Sequence, residues 1–238
     1  MRALAAASAA IFALAAPALG QDRGQEWTGP YIGANVGYGW GNVGVTDTNG
    51  GVDPGPFKYT TQNIFGGGSA GYNLHLGPAV VGIEGDLGYM NVNGSGIIPS
   101  STPPNHQDLT LDSGLYADVT GRLGFAAGRT LFYGKAGWAY FGGNAQQVTT
   151  KAGYSPTSTG AFDGWVYGGG IEHKFAPNLS LKVEYLHFDF GSQAGAQTSI
   201  TDPPIGFVYT NSHDVTVDTV KVGINYSFGE PETVGSLK

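Results

Sequence analysis

Eight times between residues 30 and 228 this sequence sets apolar side chains against small or polar ones at a period of two. Side chains alternate across an extended chain, so each run becomes a strand with one greasy face and one different face. The last run, residues 218–228, reads D-T-V-K-V-G-I-N-Y-S-F. It puts Val220, Val222, Ile224, Tyr226 and Phe228 on one face and Thr219, Lys221, Gly223, Asn225 and Ser227 on the other. Such a face meets a second sheet in a soluble sandwich, or lipid in a membrane barrel, where terminal aromatics form an interfacial girdle.

The connections decide between these two. The runs cover residues 30–41, 63–75, 79–90, 113–127, 131–142, 164–175, 179–190 and 218–228. Four long Gly/Pro/Thr/Asn-rich stretches, 42–62, 91–112, 143–163 and 191–212, alternate with tight turns at 76–78, 128–130 and 176–178. This alternation puts the long loops at one end and both termini at the other, as in outer-membrane barrels with long extracellular loops and short periplasmic turns. The expected fold is therefore all-β: an eight-stranded antiparallel up-and-down transmembrane β-barrel spanning 30–228. Tyr38, Trp40, Tyr72, Tyr89, Trp138, Tyr140 and Trp165 join Tyr226 and Phe228 in the aromatic belts.

Residues 1–20 read as a signal peptide: Arg2 supplies a positive start, an Ala/Leu-rich run follows, and Ala18-Leu19-Gly20 offers a cleavage site between Gly20 and Gln21. Residues 21–29 then form a periplasmic lead, and 229–238 a polar periplasmic tail. With no cysteine, thiolate metal sites and disulfides are excluded. A net charge of −7 without a basic run excludes nucleic acid as a partner.

Charged residues make up only 12% of the chain, so their placement is informative. Within the strands they fall almost wholly on the polar faces, and eight of them lie at similar distances from the turn end. Arg122, Lys135, Lys182 and Lys221 stand against Glu84, Asp86, Glu172 and Glu184. An eight-stranded barrel is only wide enough for side chains to fill it, and buried charges must pair. The eight are therefore expected to form an interior ion-pair plug. A catalytic pair, Glu84 with Asp86 or Lys182 with Glu184, is the rival reading, and structural ion-pair networks give the same clustering.

Other signals are weaker. Gly39, Gly41 and Gly44 match a dinucleotide-binding spacing, but a Gly/Asp/Thr/Asn loop follows where that fingerprint needs a helix. His75, His173 and His187 sit at turns or strand ends, and no G-x-S-x-G elbow accompanies them. His106 and His213 lie in or beside the long loops, from which they could ligate a haem iron or a metal. No catalytic residue, metal ligand set or cofactor is otherwise expected.

Several segments together resemble a known family: T-G-P-Y-I-G-A-N-V-G-Y-G-W-G at 28–41, A-V-V-G-I-E-G-D-L at 79–87, G-R-L-G-F-A at 121–126, S-L-K-V-E-Y-L at 180–186 and V-K-V-G-I-N-Y-S-F at 220–228. They look like the small outer-membrane β-barrel surface-antigen family of Gram-negative bacteria, related to OmpA-type and opacity-type barrels. The resemblance implies a non-enzymatic protein of the cell outer membrane, surrounded by outer-membrane lipid, with roles in envelope integrity and adhesion. It also implies insertion by the barrel assembly machinery, which reads a terminal aromatic strand, here Tyr226 and Phe228. In the family the aromatic usually ends the chain, whereas here residues 229–238 follow. The loops are the part available to a host or extracellular ligand. A narrow porin-like channel and a hemin-binding surface protein remain the alternatives.

Overall fold

The computed structural model describes residues 27–47, 57–91, 94–99, 104, 106–150, 152–200 and 205–228. The signal-peptide reading with its Gly20–Gln21 cleavage, most of the 21–29 lead and the 229–238 tail lie outside the described residues. In chain order the strands are β1 (Gly29–Asp47), β2 (Phe57–Leu76), β3 (Ala79–Met90), β4 (Gly94–Pro99), β5 (His106–Leu111), β6 (Gly114–Ala127), β7 (Thr130–Phe141), β8 (Ala145–Thr149), β9 (Thr157–Ser158), β10 (Phe162–Lys174), β11 (Leu179–Thr198) and β12 (Val208–Ser227).

Eight of them form a closed antiparallel barrel in the order β1-β2-β3-β6-β7-β10-β11-β12. The last strand returns to the first, with Ala34 opposite Ile224 and Val36 opposite Val222, so the barrel has no free edge. Gly77 and Gly128, at φ 63° and 59°, take the left-handed conformation that lets β2–β3 and β6–β7 reverse tightly. Trp27 folds back beneath the turn end and packs with Val80, Leu131 and Tyr133. Its indole N–H donates to the Gly128 carbonyl at 3.5 Å.

The parity follows the alternation in the sequence. Val36 (60% exposed), Leu123 (64%) and Trp165 (68%) point away from the barrel axis, which no soluble single-layer fold would tolerate around a whole wall. Ile83, Val119, Val183, Val222 and Ile224 continue this belt from strand to strand. It is an apolar exterior suited to lipid.

The structure differs from the sequence reading in the four long stretches. They carry strands: β1 runs on to Asp47, β2 begins at Phe57, β11 reaches Thr198, β12 starts at Val208, and β4, β5, β8 and β9 are additional. β4 joins β2 at Gly94–Thr61, and β5, β8 and β9 follow in turn. The Tyr154–Ser199 bridge ties that region to the end of β11. The wall thus continues past the apolar belt as a second tier.

In this tier the pattern inverts. Beyond Asp218 the outward residues of β12 are Thr216, Asp214 and Ser212, while Val217 and Val215 are buried inside. Beyond Trp40 the outward residues of β1 are Asn42, Gly44 and Thr46, while Val43 and Val45 are buried. Lys58, Thr60 and Gln62 do the same on β2. The wall changes from lipid-facing to water-facing, and its core becomes that of a soluble protein.

Candidate functional site

On six of the eight barrel strands, β3, β6, β7, β10, β11 and β12, the inward face carries charge nearer the turn end and rings or aliphatic groups beyond it, while β1 and β2 contribute Tyr31, Asn35, Ser69 and Asn73 at the charged level. On β11 the order is Ser180, Lys182, Glu184, Leu186, Phe188 and Phe190, all buried. On β12 it is Asn225, Lys221, Thr219, Val217, Val215, His213 and Asn211, likewise buried. The interior is therefore layered.

The charged layer brings together all eight residues singled out from the sequence, each at most 3% exposed. Lys135 Nζ lies 2.5 Å from Glu84, 3.1 Å from Asp86 and 3.4 Å from Glu184. Lys182 Nζ lies 3.0 Å from Glu84 and 3.5 Å from Glu184. Lys221 Nζ spans Asp86 at 2.9 Å and Glu184 at 3.0 Å. Arg122 pairs with Glu172 and approaches Glu84 at 4.0 Å, which joins the whole into one network.

Neutral groups complete the layer. Tyr31 donates to Glu84 and Tyr133 to Glu184, each at 2.8 Å. Asn35 donates to Asp86 at 3.1 Å, and Asn225 and Ser180 donate to Glu172 at 2.8 and 2.5 Å. The Arg122 guanidinium stacks over the Tyr133 ring, 3.7 Å from its centre. Gly71 makes room for Tyr31: a Cβ there would fall 2.4 Å from the phenol oxygen. Taking each of these ions out of water costs several kcal/mol, which only such multiple pairing offsets.

Sequence reasoning missed part of this. Asp118 faces the same interior at 3% exposure, and among the described residues neither of its oxygens has a hydrogen-bond partner. Its polar parity on β6 was visible, but its proximity to Asp86 appears only with the register, which sets the two opposite each other. Tyr31, at the first inward position of β1, carried no charge to mark it.

Above the charges an apolar plug fills the tube. Phe141 stands 5.8 Å from Phe190 and 6.4 Å from Phe162, Phe188 stacks 5.8 Å from Phe190, and Phe65 meets Tyr116 edge-on at 5.7 Å. Higher still, the second tier encloses a small polar cluster. Asn211 donates to Gln147, and Gln147 donates to Gln107. Burial lowers the basicity of the His213 imidazole there, with Asp214 acting in the opposite sense.

The histidines do not form a site together. His213 lies inside β12 rather than in a loop, at 1% exposure, whereas His106 takes the outward parity of β5, 3.5 Å from Asp108. His187 pairs outside with Asp218 at 2.7 Å, and His173 lies against Thr130 at 2.9 Å. Among the described residues no group of three or more His, Cys, Asp or Glu could hold a metal. Tyr226 and Phe228 point outward at the turn end with ring centres 5.0 Å apart, and the Phe228 N–H donates to Pro30 at 2.9 Å.

A closed eight-stranded barrel with an apolar exterior and a packed, charge-paired interior defines a small outer-membrane β-barrel. The chain belongs to the outer membrane protein beta-barrel domain family, whose model matches residues 4–228, and it is a protein of the outer membrane. It is similar to the 25 kDa outer-membrane immunogenic protein of Brucella abortus, 27% identical over 243 residues, covering 96% of this chain and 99% of the relative. The 22 kDa outer membrane protein of Rhizobium leguminosarum is 27% identical over 171 residues, covering 71% of this chain and 66% of that one. Among solved structures, the outer membrane protein OprG of Pseudomonas aeruginosa aligns with a TM-score of 0.46 at 11% identity, covering 84% and 97% of the two chains. Neisserial surface protein A aligns with a TM-score of 0.40 at 13% identity, covering 84% and 98%.

Proposed function

We propose that the protein is a non-enzymatic, solute-tight barrel whose output is a rigid surface. In this reading the two-tiered long-hairpin end faces outward from the cell, as envelope structure and surface antigen. The observation that carries it is the continuous filling of the tube, from the balanced charge network through the phenylalanine plug to the polar cluster of the second tier. Each of the eight charged groups of the network is engaged by an opposite charge, as a structural ion-pair plug requires. The relatives' names as immunogenic outer-membrane proteins support the antigen role.

Planar-bilayer recording tests it. The refolded protein is expected to give no stable conductance above the bare membrane, while an open, salt-proportional conductance would favour the porin-like reading instead. Antibodies raised against the second tier should bind intact cells, and binding only after permeabilisation would reverse the orientation. The hemin-binding alternative has little geometric support, because His106 and His213 lie on opposite faces of the wall.

A further inference from the structure

The tip of the β11–β12 hairpin departs from the rest of the second tier. Outward residues of that tier are polar, as at Thr46, Lys58 and Ser212, yet Ile200, Ile205, Phe207 and Val208 at the tip are 55%, 71%, 42% and 45% exposed. Ile97 and Val148 are the tier's other large exposed apolar groups among the described residues, and the ladder sets Asp108 between them. At the tip the apolar groups are instead brought together, because the Ser199–Phe207 backbone bond holds Ile200 beside the other three.

The tip is braced by its own main chain. The N–H groups of Ser199, Ile200 and Gly206 donate to the carbonyls of Phe207, Gly153 and Ser199 at 2.9, 2.6 and 2.8 Å. The Thr198 carbonyl accepts from Ser155 at 3.0 Å, and the Tyr154–Ser199 bridge ties the same segment across. Gly206, at φ 80°, takes the left-handed conformation that lets the chain turn back to β12. A surface that enters lipid must satisfy its backbone groups internally, whereas a hairpin end that adds to a partner's sheet must leave them free. This tip meets the first requirement.

Position, size and charge narrow the partner further. Asp218 marks the level where the wall leaves lipid, and Val208 begins the same strand. At about 3.3 Å per residue and a tilt of about 40°, Val208 stands on the order of 25 Å above that level, out of reach of the protein's own membrane. Four side chains fall far short of the roughly 20–30 residues a side that a stable protein interface uses, which disfavours a second copy. The outward charges around the tier include Asp108, Asp112, Asp189 and Asp214, with Lys58 as the one lysine or arginine among the described residues. They oppose an anionic surface. We propose that the tip inserts shallowly into a facing, electrically neutral lipid surface, with Ile200, Ile205 and Phe207 entering the boundary between headgroups and acyl chains. The proposal rests on the outward orientation of the second tier and adds the partner which that tier meets.

The test uses the full barrel in nanodiscs, mixed with vesicles of phosphatidylcholine or of phosphatidylcholine with added phosphatidylglycerol. The chain has no cysteine, so one environment-sensitive fluorophore can be placed on Ile205→Cys or, as a control, on Ile97→Cys. With phosphatidylcholine vesicles the label at position 205 is expected to shift to the blue and the label at position 97 to stay unmoved, and the anionic mixture should weaken the shift. Ile205→Asp combined with Phe207→Asp should lower co-flotation with phosphatidylcholine vesicles about tenfold, with folding checked by heat-modifiable migration. The proposal is overturned if the label at position 205 does not shift with phosphatidylcholine, if the double variant floats as the parent does, or if the anionic mixture binds more tightly. Pairing of nanodiscs without vesicles, abolished by the double variant, would overturn it in favour of a second copy. None of these readouts depends on which way the tier faces in the cell. Their failure overturns insertion alone, whereas failure of antibodies to bind intact cells overturns the orientation.

Discussion

Asp86 and Asp118 stand directly opposite each other across β3 and β6, yet only Asp86 is matched by cations, Lys221 at 2.9 Å and Lys135 at 3.1 Å. The eight-membered network is balanced, four charges against four, and Asp118 is a fifth carboxylate beside it. Replacing Asp118 with asparagine removes a like charge from beside Asp86 while keeping the shape. The expected outcome is a barrel more stable by about 1–3 kcal/mol, read as a higher urea midpoint in detergent. A lower midpoint would mean that the network depends on the Asp118 charge.

Arg122 is the one member that joins Glu172 to the remaining charges, and it also stacks on Tyr133. Arg122→Ala leaves Glu172 buried without its cation and should cost about 3–5 kcal/mol. Adding Glu172→Gln to that variant should recover part of the loss, since the stranded charge is then gone. A double-mutant cycle on unfolding free energies measures the coupling, and additive losses would show that the pair is not coupled.

The second tier should respond to pH through His213. His213 is kept neutral by burial in the folded barrel but is free to charge when unfolded, so its folded value lies below the ordinary 6.5. A group of that kind leaves stability intact above the ordinary value. It withdraws stability as pH falls through about 6.5 toward the lowered folded value. Amide exchange around Val215, corrected for intrinsic rates, should therefore accelerate more between pH 7.5 and pH 5.5 (about neutral to about one unit below the imidazole value) than exchange around Val222. His213→Leu should abolish the difference, and an unchanged difference in that variant would place the sensitivity elsewhere.

Tyr226 and Phe228 pack edge to face on the outer wall where β12 ends, and that strand closes the barrel against β1. As the proposed assembly signal, they should be required for insertion even though residues 229–238 follow them in sequence. Tyr226→Ala combined with Phe228→Ala is expected to leave the protein unfolded outside the outer membrane, scored by fractionation and heat-modifiable migration. Normal insertion of the double variant, together with failure of a chain ending at Phe228, would move the signal into the tail.

Much of the barrel was legible because lipid demands a consistent pattern. Val36, Leu123 and Val222 could only be apolar, and Glu84, Lys135 and Lys221 could only sit on the opposite parity. The second tier was harder to read for a physical reason. At Trp40 and Asp218 the surroundings of the wall change from lipid to water, so the period of two continues but its apolar phase moves to the other face. In the sequence, Asn42-Val43-Gly44-Val45-Thr46 reads as the start of a loop, although Val43 and Val45 belong to the buried upper core. The packing of Thr157 on β9 against Gly195 on β11, beside Asn211 and His213 of β12, was not legible either, because three strands meet there and only Asn211 and His213 share a linear spacing.

The inversion also bears on what an immune system would meet. On the upper parts of β1 and β12 only every second residue faces out, among them Asn42, Thr46, Ser212, Asp214 and Thr216. The intervening residues are fixed by packing against Val43, Val215 and their neighbours. β1 and β12 are also in register, with Asn42 beside Thr216 and Thr46 beside Ser212. An epitope there is a patchwork drawn from neighbouring strands rather than a run of sequence. Linear peptides copied from these hairpins should therefore make poor mimics of the folded surface, and variants escaping recognition should accumulate at alternate positions.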